Sequence, residues 1–236
     1  MQLFYNSEIT EKLKELIFNK EESRHIVRVL RKKEGDTLCI TNGKGFIFNV
    51  KIVLASDKKC VVKMISYKKT PKNRDYYLHV AIAPVKNINR FEWFLEKATE
   101  IGIDEITPIL CENSERKILK KERLLKIVTA AMKQSIQYKL PKINNVTNFK
   151  DFICNDFEGQ LFIAHCESDS KKNYLKDQVA PKSKYTILIG PEGDFTAEEI
   201  KESKKNGFIA ISLGPNRLRT ETAGITSVQN ISFLHQ

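Results

Sequence analysis

The stretch AISLGPNRLRTETAGITSVQNISFL, residues 210–234, joins a short apolar run to a helical segment through a turn. Gly214 and Pro215 interrupt the apolar run, and Arg217 and Arg219 follow. We predict that a buried strand before the turn and a helix after it fix the position of both arginines. Because a guanidinium is always charged and presents a planar fork of donors, two of them in one fixed turn indicate a binding role.

A second turn lies within YTILIGPEGDFTAEE, residues 185–199, where another Gly-Pro pair separates an apolar run from a polar one. Thr196 and Glu199 have the spacing of a capping box, which predicts a helix start. Gly190 and Gly193 allow a sharp turn and a close approach of the backbone to a ligand. The turn fits neither the P-loop nor the dinucleotide-binding pattern. The simpler interpretation, that Gly-Pro merely ends a strand, therefore stays open.

From residue 76 onward, short apolar runs alternate with amphipathic segments of helical periodicity. This rhythm predicts an α/β fold with an open, mostly parallel sheet and helices on both faces. Such sheets bind ligands beyond the carboxyl ends of their strands. If the runs ending at Gly190 and Gly214 are neighbouring strands, their turns lie side by side at one cleft.

The first 70 residues are rich in β-type segments and carry a hairpin signal at residues 42–45. We predict a small β-barrel with one short helix in this part of the chain. The charged segment 68–75 contains Pro71 and indicates a linker. We therefore divide the chain into residues 1–70 and 71–236.

The net charge of +11 is concentrated near the start of the chain, where residues 1–75 carry 17 Lys and Arg against 9 Asp and Glu. At helical spacing Arg24, Arg28 and Arg31 share one face. Such a concentration indicates a polyanionic partner, because neutralised phosphates release counterions. Charge alone leaves open a lysine-rich surface that is merely solvated.

Composition argues against several classes of protein. No run approaches the ~20 apolar residues that a transmembrane helix needs, and the polar start MQLFYNSEITEKLK does not fit a secretory signal. Five cysteines without a CxxC pair indicate reduced thiols, and the four histidines are too scattered for a metal site. We therefore expect a cytoplasmic protein with no membrane segment and no metal.

Six motifs span nearly the whole chain: HIVRVLRKKEGD (25–36), APVKNINRFEW (83–93), EKATEIGIDEITP (96–108), KQSIQYKLPKI (133–143), IGPEGDF (189–195) and LGPNRLRTETA (213–223). Together they resemble the RsmE family of S-adenosylmethionine-dependent RNA methyltransferases, which belongs to the SPOUT class. The GPEG turn combined with the LRTETA string is the most specific part of the resemblance.

The resemblance implies a PUA-like, RNA-binding β-barrel in residues 1–70. In residues 71–236 it implies a SPOUT methyltransferase domain whose C-terminal segment forms a trefoil knot, a rare exception to unthreaded topology. It further implies S-adenosylmethionine as the cofactor and N3 of a uridine in 16S rRNA as the methylated atom. The expected partners are the small ribosomal subunit and a second copy of the chain in a homodimer.

The resemblance also implies roles for individual residues. The cofactor would contact the two turns and the last helix, through Leu188, Ile189, Gly190, Pro191, Glu192, Gly193, Leu213, Gly214, Leu218, Thr222 and Ala223. RNA would be held by Arg24, Arg28, Arg31, Lys32, Lys33 and Arg217. We assign the catalytic role to Arg219, whose guanidinium would draw negative charge onto the uracil oxygens. Glu221 and Glu192 are candidate proton acceptors, but each is equally suited to orienting an arginine.

Two positions depart from the family pattern. Asp194 stands where a glycine is common, and we interpret it as an acidic residue in the first turn of a helix. Gln137 stands where an arginine is frequent, which weakens any phosphate-binding role for that segment.

Two rival functions stay open from the sequence. A catalytically inactive RNA-binding protein with a SPOUT-like fold would keep both turns without transferring a methyl group. An α/β enzyme acting on a small nucleotide would explain the glycine turns. It would not explain why two arginines lie in the second of these turns, after Gly214 and Pro215.

Overall fold

The computed structural model describes residues 2–71, 74–167, 172–181 and 183–236. The chain divides into two compact units, one formed by Met1–Lys72 with Met132–Leu140 and the other by Asn73–Ala131 with Pro141–Gln236. A single division of the sequence near residue 70 does not account for the segment 132–140. Of the linker predicted at 68–75, Lys68 and Lys69 end a strand, and residues 72 and 73 lie outside the described residues.

The first unit is built on a five-stranded sheet in the order β1-β3-β4-β5-β2. The paired strands are antiparallel except for β1 with β3. Strand β3 pairs with β4 through the turn at residues 42–45, which confirms the predicted hairpin. The elements are β1 (Leu3–Tyr5), β2 (Glu15–Ile17), α1 (Lys20–Arg24), β3 (Thr37–Thr41), β4 (Phe46–Ala55) and β5 (Cys60–Lys69).

Strand β4 shows how the sequence forms this sheet. Phe48, Val50 and Ile52 are buried, whereas Asn49 and Lys51 between them are exposed. This alternation places one face of the strand in the core of the first unit and the other in solvent.

The segment 132–140 completes the first unit by docking on the β3–β4 hairpin. The backbone N–H of Gly45 donates to the carbonyl of Tyr138 over 2.8 Å, and that of Leu140 donates to the carbonyl of Gly43 over 2.9 Å. The Thr41 hydroxyl also donates to the Tyr138 carbonyl, over 3.1 Å. These bonds satisfy backbone groups that the hairpin turn would otherwise leave unpaired.

The second unit contains an eight-stranded sheet among the described residues, in the order β11-β13-β10-β12-β6-β7-β8, with β9 also paired to β7. All of these pairs are parallel. The strands are β6 (Tyr77–Ile82), β7 (Glu105–Leu110), β8 (Lys142–Ile143), β9 (Thr147–Asn148), β10 (Gln160–Ala164), β11 (Asn173–Tyr174), β12 (Lys184–Ile189) and β13 (Ile209–Ser212). The predicted α/β class with a parallel sheet is confirmed, whereas the trefoil knot stays a prediction.

Helices cover both faces of this sheet, as predicted. Beyond residue 76 they are α2 (Ile88–Ile101), α3 (Lys121–Gln134), α4 (Phe149–Ile153), α5 (Ala197–Lys205) and α6 (Thr220–Phe233). On one face Ile82 of β6 and Phe94 of α2 both lie against Gly224 of α6, where a Cβ would come within 2.9 Å of Ile82 and 2.7 Å of the Phe94 ring. On the other face Ala81 and Leu188 share a buried cluster with residues of α4 and α5.

Within the described ranges, no helix combines the length and the apolar character needed to cross a bilayer.

Candidate active site

The two Gly-Pro turns do not follow neighbouring strands, because β10 lies between β12 and β13. This corrects the expectation that the two strands are adjacent. The carboxyl ends of the three strands are nevertheless level, since Ala164 of β10 is in register with both Ile189 and Ile211. Three strand ends, rather than two, therefore form the floor of the site.

Two clefts of about 400 and 410 Å³ lie at these strand ends. Both are lined by Ala164, Cys166, Arg217, Leu218 and Ala223, so the turn at 217–218 separates them. The turn after β12 lines the first cleft, and the turn after β13 lines the second. Eight of the predicted cofactor residues line one cleft or both: Ile189, Gly190, Pro191, Glu192, Leu213, Gly214, Leu218 and Ala223.

Three other residues predicted to bind the cofactor line neither cleft. Leu188 is fully buried in the core beneath the strand ends. Gly193 lies against Asn113, where a Cβ would come within 3.1 Å of the Asn113 Cβ. Thr222 lies half-buried in the first turn of α6.

Glycine is needed at positions 190 and 214 for different reasons. A Cβ at Gly190 would lie 3.0 Å from the Phe195 ring, so a side chain there would require the ring to move by a few tenths of an ångström. Gly214 has a φ of 153°, a conformation that other residues rarely adopt. Both turns therefore present bare backbone to the clefts.

Asp194 is not part of a helix, which corrects our interpretation of this departure from the family pattern. It precedes Thr196, the N-cap of α5, and has a φ of 62°, in the left-handed region that Gly adopts freely and Asp tolerates. Its carboxylate accepts hydrogen bonds from the backbone N–H of Cys166 over 2.7 Å and of Phe195 over 2.8 Å. The left-handed backbone at position 194 therefore accounts for the aspartate found in this chain and for the glycine of the family pattern.

The capping box predicted at the start of α5 is present. The Thr196 hydroxyl accepts from the N–H of Glu199, and the Glu199 carboxylate accepts from the N–H of Thr196. The other carboxylate oxygen of Glu199 accepts from the N–H of Glu112 over 2.9 Å. This buried glutamate therefore fixes the helix that follows the first turn.

Arg217 and Arg219 are exposed at the first cleft and have no ion pair or side-chain hydrogen bond with any described residue. The two glutamates considered as their orienting partners hold other groups. Glu221 is buried and lies 3.7 Å from the Arg90 guanidinium, and Glu192 accepts from the backbone N–H of Lys86 over 2.9 Å. Both cations are therefore left free for a ligand.

His165 belongs to the second cleft and was not predicted. The residue is 8% exposed, and neither ring nitrogen has a hydrogen-bond partner among the described residues. Burial lowers the pKa of His165 to about 4, so the ring is neutral near pH 7. The only sequence signal is its place directly after the apolar run of β10. An unsatisfied imidazole is costly inside a protein and suits a site that receives a polar ligand.

The residues predicted to bind RNA in the first unit lie at and after α1. Arg24, Arg28, Arg31 and Lys33 are exposed and Lys32 is half-buried. Helix α1 continues only as a π-helical turn at His25–Val29, and Arg31 follows with a φ of 53°. The predicted helical stripe therefore does not extend to Arg31. Arg28 forms a 2.9 Å ion pair with Asp57, and this pair lowers the pKa of Asp57.

Gln137 lies in the segment that docks on the β3–β4 hairpin. Its side-chain amide donates to the Ser135 hydroxyl over 3.2 Å, and its backbone N–H donates to the Met132 carbonyl over 3.0 Å. The residue thus stabilises a local turn.

In the described part of the chain, no group of three or more His, Cys, Asp or Glu is arranged to hold a metal ion.

Comparison with known proteins extends these observations. A family model described as an RNA methyltransferase domain matches residues 72–232. A second model, described as an RNA methyltransferase PUA domain, matches residues 18–65. The chain is 34% identical to the ribosomal RNA small subunit methyltransferase E of Buchnera aphidicola, over 92% of this chain and 87% of that protein.

Solved structures agree over almost the full length. A "probable rRNA-methyltransferase" from Porphyromonas gingivalis has a TM-score of 0.93 at 38% identity, covering 100% of this chain and 98% of that one. A Legionella pneumophila protein in complex with bound S-adenosylmethionine has a TM-score of 0.85 at 28% identity, covering 98% and 96%. The chain belongs to the RsmE family of ribosomal RNA small subunit methyltransferases.

Proposed function

We propose that this protein transfers a methyl group from S-adenosylmethionine to N3 of a uridine in 16S rRNA. The observation that carries the proposal is the pair of unpartnered cations, Arg217 and Arg219, at a cleft formed by three level strand ends. Family membership supports the reaction class. The free arginines support a substrate that develops negative charge.

The residues present fit the proposed cofactor. Gly190 and Gly214 present bare backbone, which can hydrogen-bond a nucleoside without side-chain interference. The ring of His165, which has no hydrogen-bond partner in the described part of the chain, offers one donor and one acceptor to the polar atoms of such a ligand. Leu218 and Ala223 supply apolar surface to both clefts. When bound there, S-adenosylmethionine supplies a methyl group on a positively charged sulfur.

Arg219 acts on the nucleophile. Uridine N3 is a poor nucleophile while protonated, because its lone pair is delocalised toward the flanking carbonyls. Loss of the N3 proton, which in this proposal goes to water, spreads negative charge onto O2 and O4 of the ring. A guanidinium fixed beside these oxygens favours the anion and so favours attack by N3.

The position of Arg219 supports this role. It is the N-cap residue of α6, and its side chain makes no capping hydrogen bond. The first backbone N–H groups of α6 and the positive end of the helix dipole lie beside it. Two sources of positive potential thus meet where the uracil anion forms. Neither Glu192 nor Glu221 is assigned as the proton acceptor, since each already holds another group.

RNA affinity comes chiefly from the first unit in this proposal. Arg24, Arg31 and Lys33 are exposed and have no recorded ion pair with a described residue, so they are free to contact phosphates. Such contacts position RNA without reading its sequence. Arg217 would hold a phosphate next to the target base, which is presented out of its stack.

The proposal includes the assembly and the cellular setting of the enzyme. We infer a homodimer that modifies the small ribosomal subunit in the cytoplasm, with the C-terminal segment knotted as the family resemblance implies. Exposed Trp93 on α2 and Phe233 on α6, two helices that pack together, support association. Light scattering would contradict the dimer by giving the mass of a single chain at micromolar concentration.

The decisive experiment measures methyl transfer and cofactor binding separately. Small subunits from a strain lacking the protein are incubated with enzyme and S-adenosylmethionine, and their nucleosides are analysed by mass spectrometry. We expect 3-methyluridine in 16S rRNA and none on free uridine nucleotides. Cofactor binding without product would favour the inactive RNA-binding alternative, and methylation of free nucleotides would favour the small-nucleotide enzyme.

A further inference from the structure

A third cleft, of about 580 Å³, lies at the amino ends of the parallel strands, at the opposite edge of the sheet from the candidate active site. Its floor is a row of polar residues in register across β12, β6, β7 and β8. Thr186 pairs with His79, His79 with Glu105, and Glu105 with Lys142. Polar side chains on four successive strands are unusual on a sheet face covered by helices, where apolar residues are the norm. The row therefore points to a function.

Part of this row is satisfied by its own neighbours. Glu105 accepts hydrogen bonds from Tyr77 over 2.5 Å, from Lys142 over 2.7 Å and from Asn144 over 2.6 Å. Burial opposes ionisation of Glu105, but these bonds from Lys142, Tyr77 and Asn144 outweigh it and lower its pKa to about 2. Glu105 is therefore a fixed anion that holds the end of the row in place.

His79 lines the cleft and has one ring nitrogen, Nδ1, without a recorded partner among the described residues. Its Nε2 lies 2.7 Å from the Thr107 hydroxyl oxygen, which also accepts from the Asn144 amide over 2.6 Å. In the tautomer that the site requires, the hydroxyl gives its hydrogen to Nε2 and the neutral ring carries its proton on Nδ1. No described residue accepts from Nδ1. The hydroxyl of Thr186, which is 5% exposed, also has no recorded partner in the described chain.

The walls of the cleft are aromatic and carry no surplus positive charge. Phe152 and Phe157 form one side, with ring centroids 5.0 Å apart. Lys142 is paired with Glu105, and Lys184 with Glu158. Asp156 also lines the cleft and is outside these two ion pairs. It is exposed and has no recorded partner among the described residues. This balance disfavours a phosphate and suits a neutral ring that also carries a donor.

We propose that this cleft binds a nucleobase that has both a carbonyl oxygen and an amino group, namely cytosine or guanine. The carbonyl would accept from His79 Nδ1–H and the Thr186 hydroxyl, and the ring would pack on Phe157. The amino group would donate to Asp156. Uracil lacks the amino group and adenine lacks the carbonyl, so both fit less well. This site is separate from the proposed methyl-transfer cleft and does not depend on it.

In the first test, the full-length protein is titrated with each of the four free nucleosides, and binding is measured by calorimetry or saturation-transfer NMR. We expect saturable binding of cytidine and guanosine, at least about fivefold tighter than of uridine and adenosine, as expected for one or two hydrogen bonds. Absence of saturable binding up to about 10 mM for all four nucleosides would overturn the proposal.

Two variants test the assigned contacts. Thr186→Val keeps the side-chain shape and should weaken cytidine binding about three- to tenfold by removing one hydrogen bond. Asp156→Asn should reduce the preference for cytidine over uridine. Asp177→Asn, which removes an exposed carboxylate outside the cleft, is the matched control. Unchanged cytidine affinity in Thr186→Val, with an unchanged thermal midpoint, would refute the site.

A last comparison separates the two sources of such a base. If the ligand is a base within RNA, a short cytidine oligonucleotide should compete with free cytidine, and Thr186→Val should weaken both. If the ligand is a free nucleoside, the oligonucleotide should not compete. S-adenosylmethionine affinity should be unchanged by Thr186→Val in either case. A failure of this site is thereby distinguished from a failure of the proposed methyl transfer.

Discussion

The carboxylate of Asp194 lies 2.7 Å from the backbone nitrogen of Cys166 and ties the turn after β12 to the end of β10. Both residues line the first cleft. The bond therefore holds together two of the three strand ends on which the proposed cofactor site rests. It also explains how an aspartate serves at a position where the family commonly has glycine.

Substitution of Asp194 should separate backbone strain from the hydrogen bond. Asp194→Ala loses the bonds from Cys166 and Phe195 and must still adopt a φ of 62°, so we expect a loss of about 3–4 kcal/mol in unfolding free energy. Asp194→Gly loses the two bonds without the backbone strain and should cost about 2 kcal/mol. Urea denaturation measures both values. Equal losses for the two variants would show that backbone conformation is not the reason for the residue type.

Arg219→Ala should lower the single-turnover rate of methyl transfer about 100- to 1000-fold at saturating cofactor. Its affinity for S-adenosylmethionine should change little, because the guanidinium is assigned to the uracil ring. Arg219→Lys should recover only part of the rate, since an ammonium lacks the planar fork. A rate for Arg219→Ala equal to that of the unmodified protein would remove this residue from the mechanism.

RNA binding should weaken steeply as salt rises. Arg24→Gln should reduce the slope of log affinity against log salt by about one, because one phosphate contact is lost. Lys205→Gln is the matched control, since Lys205 lies on α5 and is already paired with Glu202 over 2.5 Å. A salt-independent affinity would count against RNA as the partner of the first unit.

The protein should lose stability as the pH falls from about 6.5 to 4. Burial lowers the pKa of His79 and of His165 to about 4, whereas an exposed histidine titrates near 6.5. The unfolded chain then binds more protons in this window, which favours unfolding as the pH falls. Each histidine contributes about 2 kcal/mol between pH 7 and pH 5.

The share of one histidine can be isolated by substitution. In His165→Asn, the difference in unfolding free energy between the two pH values should fall by about 2 kcal/mol. Urea denaturation at both pH values provides the measurement. If the difference is as large as that of the unmodified protein, His165 takes up its proton as readily in the folded state as in the unfolded chain.

The sequence predicted the class of the fold better than the order of the strands in the sheet. Alternation of apolar runs with helical segments identified the parallel sheet, and the turns after Ile189 and Ser212 were placed at the correct edge. Periodicity reports which residues are buried, but it does not report which strands are neighbours. The insertion of β10 between β12 and β13 could not be derived for that reason.

Residues whose role depends on contacts distant in sequence were also missed. His165 follows an ordinary buried run, and only the packed structure reveals that its ring has no partner among the residues described. The polar row through His79 and Glu105 becomes visible only when the register of separate strands is known. The capping box of α5 was predicted correctly, because both of its residues lie within one helical turn.

The docking of residues 132–140 on the β3–β4 hairpin has a practical consequence for dissecting this enzyme. A fragment ending near residue 70 would lack the carbonyl that receives Gly45 and the amide that reaches Gly43. Poor RNA retention by such a truncated piece would reveal an incomplete fold rather than a missing binding function. The missing strand-like segment would have to be restored, by circular permutation or as a synthetic peptide, before the isolated unit is assayed.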